Sequence, residues 1–315
     1  MTLGLLPNFV NTAALRYFYE VARYGSFRLA ADRIHIAASA ISRQIQLLEQ
    51  ELEVKLFARD RKGLRLTAAG EALLYRVRKA MNELDTARSE IDLLHGSHKG
   101  NVRLGINETV AREFLPGFLE QFRAAYPHMK FEITVANSDA LAGILLRGDV
   151  DVIVGYALQL RSGLQQIAAF DLKTCITVRE DHPLAKRGSV RVADLVDQNF
   201  IMPDDDSLLR QVLNAMFAKV AVKPASTIVS NSFEFIATMV AGGFGIGCQV
   251  RLAAGPDPVR PNILYVPIRD PAVKSAVLAC CVSEEGTPSM AVSVFVQELR
   301  GALEKWCKEV AASGT

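Results

Sequence analysis

The sequence predicts a chain of three parts: a helix-turn-helix unit with a basic wing, then a long helix, then an α/β domain. Between Ser26 and Thr67, two helical patterns are followed by an arginine-rich hairpin pattern. After Thr67, apolar residues recur every seven positions, which is typical of a long helix with a narrow apolar seam. Beyond Gly100, strand patterns alternate with helical patterns, as in α/β domains.

The first two helices of the N-terminal part are short. Residues 11–24 form an amphipathic pattern with Gly25 directly after it, where a helix commonly ends. Ser26 is a good N-cap for a second helix over residues 27–34. The small residues Ala30 and Ala31 allow a third helix to approach closely.

The third helix, residues 38–51, has two opposed faces. Ile41, Ile45, Leu48 and Leu52 form its apolar stripe. The other side carries hydroxyl, amide and guanidinium groups: Ser39, Ser42, Arg43, Gln46 and Gln50. Such side chains reach base edges and phosphates, so this face is suited to a DNA major groove.

A hairpin follows this helix. Leu56 and Phe57 are expected to point inward, and Lys62-Gly63 supplies the turn. The loop carries four basic residues, Arg59, Arg61, Lys62 and Arg65, against only Asp60. The pattern predicts a basic wing that lies on phosphate.

The same stretch resembles the signature of LysR-type transcriptional regulators. The matching residues are Ser42-Arg43-Gln44-Ile45, Leu48-Glu49, Leu56-Phe57, Arg59 and Leu66-Thr67-Ala68-Ala69-Gly70-Glu71. Two departures occur. Ala37 and Ala38 stand where the family usually has Ser and Gln, and Glu53 stands where Gly is usual. The resemblance implies a winged helix-turn-helix domain over residues 1–66. The residues expected to contact DNA are Ala38, Ser39, Ser42, Arg43, Gln46, Arg59, Arg61, Lys62 and Arg65.

Residues 67–95 predict a long helix that begins at the cap Thr67. One set of its apolar residues is Val77, Leu84 and Ile91, and a second set is Leu73, Ala80, Ala87 and Leu94. A heptad seam on a rod of about 40 Å favours a partner helix. The resemblance implies that this helix joins two subunits, in a homodimer or homotetramer. The alternative is a helix that packs on its own domain. Residues 96–100 predict a polar, glycine-bounded hinge.

The pattern after residue 100 predicts an α/β domain. We expect one helix over residues 112–125, two strands over 165–170 and 173–179, and a closing helix over 292–310. The resemblance implies two lobes like those of periplasmic binding proteins, with a ligand cleft between them. The first lobe would comprise residues 101–170 and 272–315, and the second residues 171–271.

Four strand-to-helix junctions are candidates for the ligand cleft, because free N–H groups and helix dipoles meet at the carboxyl ends of strands. The residues expected to bind an effector are Asn107, Glu108, Thr109, Asn137, Ser138, Asp204, Asp205, Ser207 and Asn231. The alternative for each is a helix cap without a ligand. The acidic run 204–206 either caps its helix and faces solvent or favours a cationic or metal-bound effector. Arg161 and Arg210 could supply the opposite charge.

The composition indicates the charge distribution, the compartment and the state of the cysteines that we expect. The first 100 residues hold 15 Lys and Arg against 11 Asp and Glu, and the remainder hold 21 against 23. We expect no signal peptide and no membrane span, and therefore a cytoplasmic protein. The five cysteines show no pairing pattern, which favours reduced thiols; redox sensing by one of them is the alternative.

The sequence lacks the usual signatures of catalysis. It has no P-loop, no G-x-S-x-G and no H-E-x-x-H motif, and no Cys or His spacing typical of zinc. The run Gly242-Gly243-Phe244-Gly245-Ile246-Gly247 lies after a helix and before a strand, so it predicts a helix end rather than a dinucleotide site. We expect no enzyme activity, no cofactor and no metal.

These observations predict a sequence-specific DNA-binding regulator whose C-terminal domain binds a small-molecule effector that alters promoter binding or bending. The expected partners are double-stranded DNA, the effector and a second copy of the chain, with RNA polymerase as a further candidate. The alternative is a ligand-binding module whose helical N-terminus serves oligomerisation only. An enzyme on the α/β part is a third hypothesis, but no nucleophile or acid–base pair in the sequence supports it.

Overall fold

The computed structural model describes residues 12–60, 63–94, 100–156, 158, 161–205, 207–218, 225–252, 254–270, 276–285 and 287–313. The chain divides into two compact units, Met1–Ala87 and Arg88–Thr315, and each has its own core. The division falls inside the long helix. Residues 96–99 of the predicted hinge lie outside the described residues, and Gly100 begins a strand.

The first unit is a three-helix core with a two-stranded wing, as predicted. Its elements are α1 (Thr12–Tyr24), α2 (Phe27–Ile34), α3 (Ala38–Glu51), β1 (Phe57–Asp60), β2 (Gly63–Leu66) and α4 (Ala68–Leu94). Ser26 caps α2 by accepting a hydrogen bond from the backbone N–H of Leu29 at 3.4 Å. His35 ends α2 in the left-handed region, with φ of 56°. The chain then turns directly into α3.

The predicted apolar stripe of α3 is confirmed. Ile41, Ile45 and Leu48 are buried, and they pack with Phe18 of α1 and Leu56 before the wing. Strands β1 and β2 pair antiparallel from Phe57↔Leu66 to Asp60↔Gly63. Lys62 of the predicted turn lies outside the described residues, and Gly63 has φ of 119°.

Helix α4 has 27 residues and belongs to the first unit's core only at its start. Thr67 caps it, since its hydroxyl oxygen accepts a hydrogen bond from the N–H of Gly70 at 3.0 Å. Leu74 and Val77 are buried in the core, whereas Leu84 is 67% exposed and Ile91 is 55% exposed. The predicted seam is therefore covered at one end and open to solvent farther along the helix.

The second unit has two lobes that share one strand. The first lobe contains β3 (Gly100–Ile106), α5 (Glu108–Glu113), α6 (Leu115–Ala125), β4 (Met129–Val135), α7 (Ser138–Leu146), β5 (Val152–Tyr156), β12 (Ala276–Ser283) and α10 (Met290–Ser313). The second lobe contains β7 (Asn199–Pro203), α8 (Leu208–Ala218), β8 (Ala225–Ser230), α9 (Phe233–Ala241), β9 (Gly247–Arg251), β10 (Gly255–Pro256) and β11 (Ile263–Pro267). Short 3-10 helices cover Pro183–Lys186 and Val192–Leu195.

The shared strand is β6 (Leu164–Arg179), and it corrects the prediction of two strands. Its first half pairs with β12, up to Leu172↔Ala276, and its second half pairs with β9 and β11. Because partners lie along its whole length, the chain does not break between residues 170 and 173. Within the described residues the sheet order is β10-β11-β6-β12-β5-β3-β4, and β9 also pairs with β6.

A second correction concerns the helix predicted over residues 112–125. The structure has α5 and α6 instead, with a change of direction at Phe114. Pro116 lies in the first turn of α6, where its missing N–H costs no hydrogen bond. As a result, α5 is a separate short helix directly after β3.

The glycine run after α9 is a helix end, as the sequence predicted. Gly242 is the C-cap of α9, and Gly243 has φ of 79°. Gly245 has φ of 152°, and a Cβ there would lie 2.4 Å from the carbonyl oxygen of Asn199. The run brings the chain tightly from α9 into β9. None of the described helices is long and apolar enough to cross a membrane.

Candidate nucleic-acid interface and ligand cleft

The polar face of α3 is directed outward. Ser39, Arg43 and Gln46 are exposed, whereas Ala38 and Ser42 are half-buried at the margins of the face. No described residue forms an ion pair with Arg43, so its guanidinium is available to a partner. Ala37, the N-cap of α3, makes no side-chain cap hydrogen bond. The start of the helix therefore has no side-chain cap and lacks the polar side chains that the family usually has there.

The wing places Arg65 on β2, where its side chain is exposed. Arg59 lies on β1, and its side chain is outside the described part of the structure. Arg61 and Lys62 lie outside the described residues altogether. The contacts of these four residues with DNA stay predictions.

A buried carboxylate connects α3 to the wing. Glu49 is 8% exposed and accepts hydrogen bonds from the backbone N–H groups of Leu56 at 2.9 Å and Phe57 at 3.3 Å. Lys55 donates to its other oxygen at 2.6 Å. Burial alone would raise the pKa of Glu49, but these hydrogen bonds and the Lys55 charge outweigh burial and lower it. The ionised carboxylate holds the wing at a fixed position relative to α3.

The start of α4 is attached to the same junction. The hydroxyl of Thr67 donates to the carbonyl of Lys55 at 2.6 Å. A Cβ at Gly70 would lie 2.2 Å from the carbonyl oxygen of Leu56, so only glycine allows α4 to approach this closely. Glu49, Thr67 and Gly70 thus meet at one junction between α3, the wing and α4.

In the second unit, the carboxyl ends of β3, β4 and β5 lie side by side and are joined by two of the predicted effector residues. Asn107 accepts a hydrogen bond from the N–H of Tyr156 at 2.6 Å and donates to the carbonyl of Ala136 at 2.9 Å. Ser138 donates to the carbonyl of Tyr156 at 2.6 Å. Both side chains therefore hold the strand ends in place.

Two other predicted residues at this edge have side chains without such bonds. Thr109 is buried at the start of α5, and Asn137 is exposed before α7. Neither side chain hydrogen-bonds to a described residue. Among the described residues, the polar groups of Thr109 and Asn137 thus have no side-chain hydrogen-bond partner.

The second lobe supplies a matching edge at the carboxyl ends of β7 and β8. The N–H of Asp204 donates to the carbonyl of Ser230 at 3.1 Å, which places Asp204 beside the end of β8, where Asn231 follows. Asp205 is exposed and pairs with Arg210 at 3.2 Å. Arg210, one of the two arginines considered for the acidic run, thus compensates the charge of Asp205. Asp206 lies outside the described residues.

The two edges meet where Glu108 of α5 contacts Ser232 of α9. The Ser232 hydroxyl donates to the Glu108 carboxylate, at 3.3 Å and 3.4 Å to its two oxygens, and accepts from the N–H of Phe235 at 3.2 Å. One side chain thus caps α9 and connects the lobes. Sequence patterns did not distinguish Ser232 from its neighbours, because a cap residue looks the same whether or not it has a distant partner.

Next to this contact lies a group of charges that no sequence motif indicates. Arg112 and Glu113 of α5 meet Glu234 of α9, Arg251 of β9 and Asp257 after β10. These residues are up to 145 positions apart in the chain, so their proximity depends on the tertiary structure.

All five cysteines are buried and unpaired. Burial raises the pKa of Cys175, Cys280 and Cys307 to about 12 and that of Cys281 to about 11, and it also raises the pKa of Cys248. Cys280 and Cys281 are neighbours on β12 and lie in different cores, on opposite faces of the strand. At neutral pH these groups are thiols rather than reactive thiolates. Among the described residues, no cluster of His, Cys, Asp and Glu could hold a metal ion.

Comparison with known proteins gives matches in both units. Residues 12–71 match the family described as bacterial regulatory helix-turn-helix protein, lysR family, and residues 95–304 match the LysR substrate binding domain. The transcriptional dual regulator GltC of Bacillus subtilis is 31% identical over 264 residues, which cover 84% of this chain and 88% of the relative. The hydrogen peroxide-inducible genes activator of Escherichia coli O157:H7 is 26% identical, with 85% and 88% covered.

A solved structure has the same fold. Full-length CbnR in complex with its target DNA superimposes with a TM-score of 0.61 at 21% identity, covering 93% of this chain and 100% of that chain. At this level of identity the likeness shows the fold.

Proposed function

The chain belongs to the LysR family of transcriptional regulators, and we propose that it reads its operator with the outer face of α3 and the wing. The observation that carries this proposal is the exposure of Ser39, Arg43 and Gln46 on one face of a helix whose other face packs in the core of the first unit. A rigid helix with outward amide, hydroxyl and guanidinium groups can enter the major groove and contact base edges. The basic wing residues then lie on phosphate.

Operator binding by Arg43→Ala tests the proposal. If Arg43 contacts a base, the variant should lose about 1–3 kcal/mol of binding free energy and discriminate less between sequences. If Arg43 contacts phosphate, affinity should fall evenly for all sequences and the slope of log affinity against log salt should decrease by about one. Fluorescence anisotropy with the upstream DNA, at several salt concentrations, measures both quantities.

Arg300→Ala is the matched control, since it removes one exposed guanidinium from α10 in the second unit. Equal affinities of the two variants would contradict the proposed reading face. If wild-type protein showed no sequence preference and little salt dependence, the alternative would be favoured, in which the N-terminal helices serve oligomerisation only.

We further propose that a small effector binds between the two edges described above. The available side chains are those without partners among the described residues: Thr109, Asn137, Asp204, Ser207 and Asn231. Asn107, Glu108, Ser138 and Asp205 already have partners, so their role would be to position the cleft. Helix N-termini from both lobes converge there, which favours a polar ligand.

A thermal-shift screen of small metabolites tests the cleft. A ligand that stabilises the wild type should lose most of its effect on Thr109→Val, which keeps the shape of the side chain and removes the hydroxyl. Asn107→Ala should instead lower the melting temperature without any ligand, because two strand-end hydrogen bonds are lost. An unchanged shift in Thr109→Val would exclude Thr109 from the site.

Self-association is part of the proposal. The exposed part of the α4 seam fits a second α4, and a pair of subunits would present two α3 helices to two half-sites about one helical turn, or a multiple of it, apart. An effector would then act by favouring one arrangement of the subunits or lobes over another. RNA polymerase remains a further candidate partner.

One relative is named a hydrogen peroxide-inducible genes activator. The environment of the thiols in this chain does not support sensing of peroxide by a cysteine. A sensor thiol needs thiolate character and access to solvent, and all five thiols here are buried with raised pKa values. We therefore propose an effector that binds reversibly.

A further inference from the structure

A group of charged side chains, most of them buried or half-buried, joins the two lobes of the second unit. From the first lobe, α5 contributes the neighbours Arg112 and Glu113. From the second lobe come two guanidinium groups, on Arg251 and Arg260, and two carboxylates, on Glu234 and Asp257. The group contains three positive and three negative side chains, so it is balanced and has no excess charge to attract an ion. We refer to these six residues as the interlobe joint.

Arg112 is the centre of the interlobe joint. Its two terminal nitrogens reach three carboxylates: Glu113 at 2.6 Å, Glu234 at 2.9 Å and Asp257 at 3.2 Å. Two of these three contacts cross from the first lobe to the second. The carboxylates outweigh the effect of burial and raise the pKa of Arg112, so it stays charged.

Glu113 makes the opposite connection. Its carboxylate, 6% exposed, accepts from Arg251 at 2.5 Å. The Arg251 guanidinium lies over the ring of Tyr265 at 4.1 Å, and Tyr265 donates to Asp257 at 2.5 Å. Arg260 donates to Glu234 at 2.7 Å. Each lobe therefore presents both signs of charge, and the two patterns are complementary in one relative position.

Buried ion pairs of this kind add little net stability, because desolvation offsets the attraction. Their effect is on geometry: a small change of register leaves a buried charge without its partner, which costs far more than the pair contributes. In addition, Nε of Arg112 and Nη1 of Arg260 are buried without a hydrogen-bond partner among the described residues. The joint is thus specific but incompletely satisfied, so it can be made or broken as a unit.

The joint involves the same two helices as the proposed cleft. Glu108 is one helical turn before Arg112 on α5, and Ser232 is two residues before Glu234 on α9. The Glu108–Ser232 hydrogen bond and the Arg112–Glu234 ion pair therefore connect the same two helices. A ligand that moves either helix start would act on the joint.

We propose that Arg112 is a positioning residue whose interlobe ion pairs hold the two lobes at one discrete angle, and that effector binding acts on the domain by making or breaking this joint. The inference rests on the proposed effector role of the cleft. Its test needs neither an effector nor DNA, so its failure is distinguishable from failure of the proposed function.

The test measures the distance between the lobes in the full chain. Spin labels are attached at Glu120→Cys on α6 and Gln211→Cys on α8, two exposed positions in different lobes, and the native thiols are buried. Double electron–electron resonance should give one narrow distance for the otherwise wild-type protein. Arg112→Gln should add a second, longer distance, because the interlobe charges lose their match.

Arg147→Gln is the control, since it removes an exposed arginine that pairs with Asp149 within the first lobe. It should keep the single distance. Glu234→Gln, which removes a less buried partner of Arg112, should repeat the effect of Arg112→Gln and decides the question if Arg112→Gln does not fold. A single unchanged distance in both joint variants would overturn the proposal, and so would the same broadening in the control.

Discussion

At the scale of single residues, the departure from the family pattern at Glu53 has a visible structural consequence. Helix α3 ends at Glu51 with Leu52 as its C-cap, and Glu53 adopts φ of 55°, a conformation that glycine adopts without steric cost. The family's usual glycine at this position is therefore explained by the backbone. The turn itself is held by backbone hydrogen bonds, from Glu53 to the carbonyl of Gln50 at 3.2 Å and from Val54 to the carbonyl of Glu49 at 3.1 Å.

Replacing Glu53 by glycine should stabilise the protein. Glycine removes the clash of Cβ in the left-handed region, and its greater freedom in the unfolded chain offsets part of the gain. We expect the free energy of unfolding of the first unit to rise by about 0.5–1 kcal/mol, measured by urea denaturation. Glu53→Ala, which keeps Cβ, is the matched control, and an equal gain for alanine would point to side-chain charge instead.

The lowered pKa of Glu49 predicts that the free energy of unfolding depends on pH in the acidic range. Its pKa in the folded protein is below the ordinary value of 4.5, so the unfolded chain binds the proton more tightly. The stabilising effect is present above pH 4.5 and is lost as the pH falls through the folded-state pKa.

Glu49→Gln should therefore lower the free energy of unfolding by about 1.5–3 kcal/mol at neutral pH, since hydrogen bonds to a charged group are lost. The difference from wild type should shrink below pH 4.5. Denaturation at a series of pH values measures it, and a constant difference across the series would show that the charge is not responsible.

At the scale of elements, α4 has two different environments along its length. Its first turns complete the core of the first unit through Leu74 and Val77, whereas the seam beyond Met81 presents Leu84 to solvent. The sequence is compatible with two roles for α4: a helix that packs on its own domain, or a helix that joins two subunits. In the structure, the start of α4 packs on its own domain, and the exposed seam farther along is the candidate surface for a second subunit.

A charge in the exposed seam should weaken self-association. Leu84→Glu places a carboxylate where the proposed partner helix packs, so the protein should shift toward monomer in sedimentation equilibrium. Ala72→Glu, an exposed position of the same helix away from the seam, should leave the association unchanged. Identical sedimentation of the two variants would argue against a dimer through α4.

Helix α5 is the element that the sequence patterns predicted least well. Its six residues were divided between a junction and a longer helix, because Arg112, Glu113 and Phe114 continue the helical pattern into α6. The break at Phe114 separates them, and α5 then directs Glu108, Arg112 and Glu113 at the second lobe. A short helix between a strand and a proline is below the length at which periodicity can be recognised.

At the scale of the whole molecule, the five cysteines are distributed among separate cores of the second unit. Cys280 and Cys307 belong to one core, and Cys175, Cys248 and Cys281 to three others. Access to all of them requires the α/β domain to open.

The thiols should therefore report on unfolding of this domain. In native buffer, a chromogenic disulfide reagent should react slowly with all five cysteines, and the rate should rise with urea in parallel with loss of the second unit's structure. Rapid reaction of one thiol in native buffer would identify an accessible cysteine and reopen redox sensing. Hydrogen peroxide should likewise leave operator affinity unchanged.

The N-terminal reading face was predictable because it depends on local periodicity. Which residues of α3 face outward follows from a spacing of 3.6 residues, and the burial of Ile41, Ile45 and Leu48 confirms it. The cleft was predictable only in part. The junction residues were found as polar positions after strands, but sequence could not separate Asn107 and Ser138, which brace strand ends, from Thr109 and Asn137, which have no such bonds.

The sequence by itself determined the order of the parts, the two faces of α3, the caps at Ser26 and Thr67, and the end of α9 at its glycines. Each of these depends on interactions within a few residues of the chain. Only the tertiary structure decided that β6 is one strand, that Ser232 meets Glu108, and that Arg112 meets Glu234 and Asp257. The physical reason is that a hydrogen bond or ion pair between distant segments leaves no periodic trace in either segment, and its geometry exists only once both lobes have formed around their shared strand.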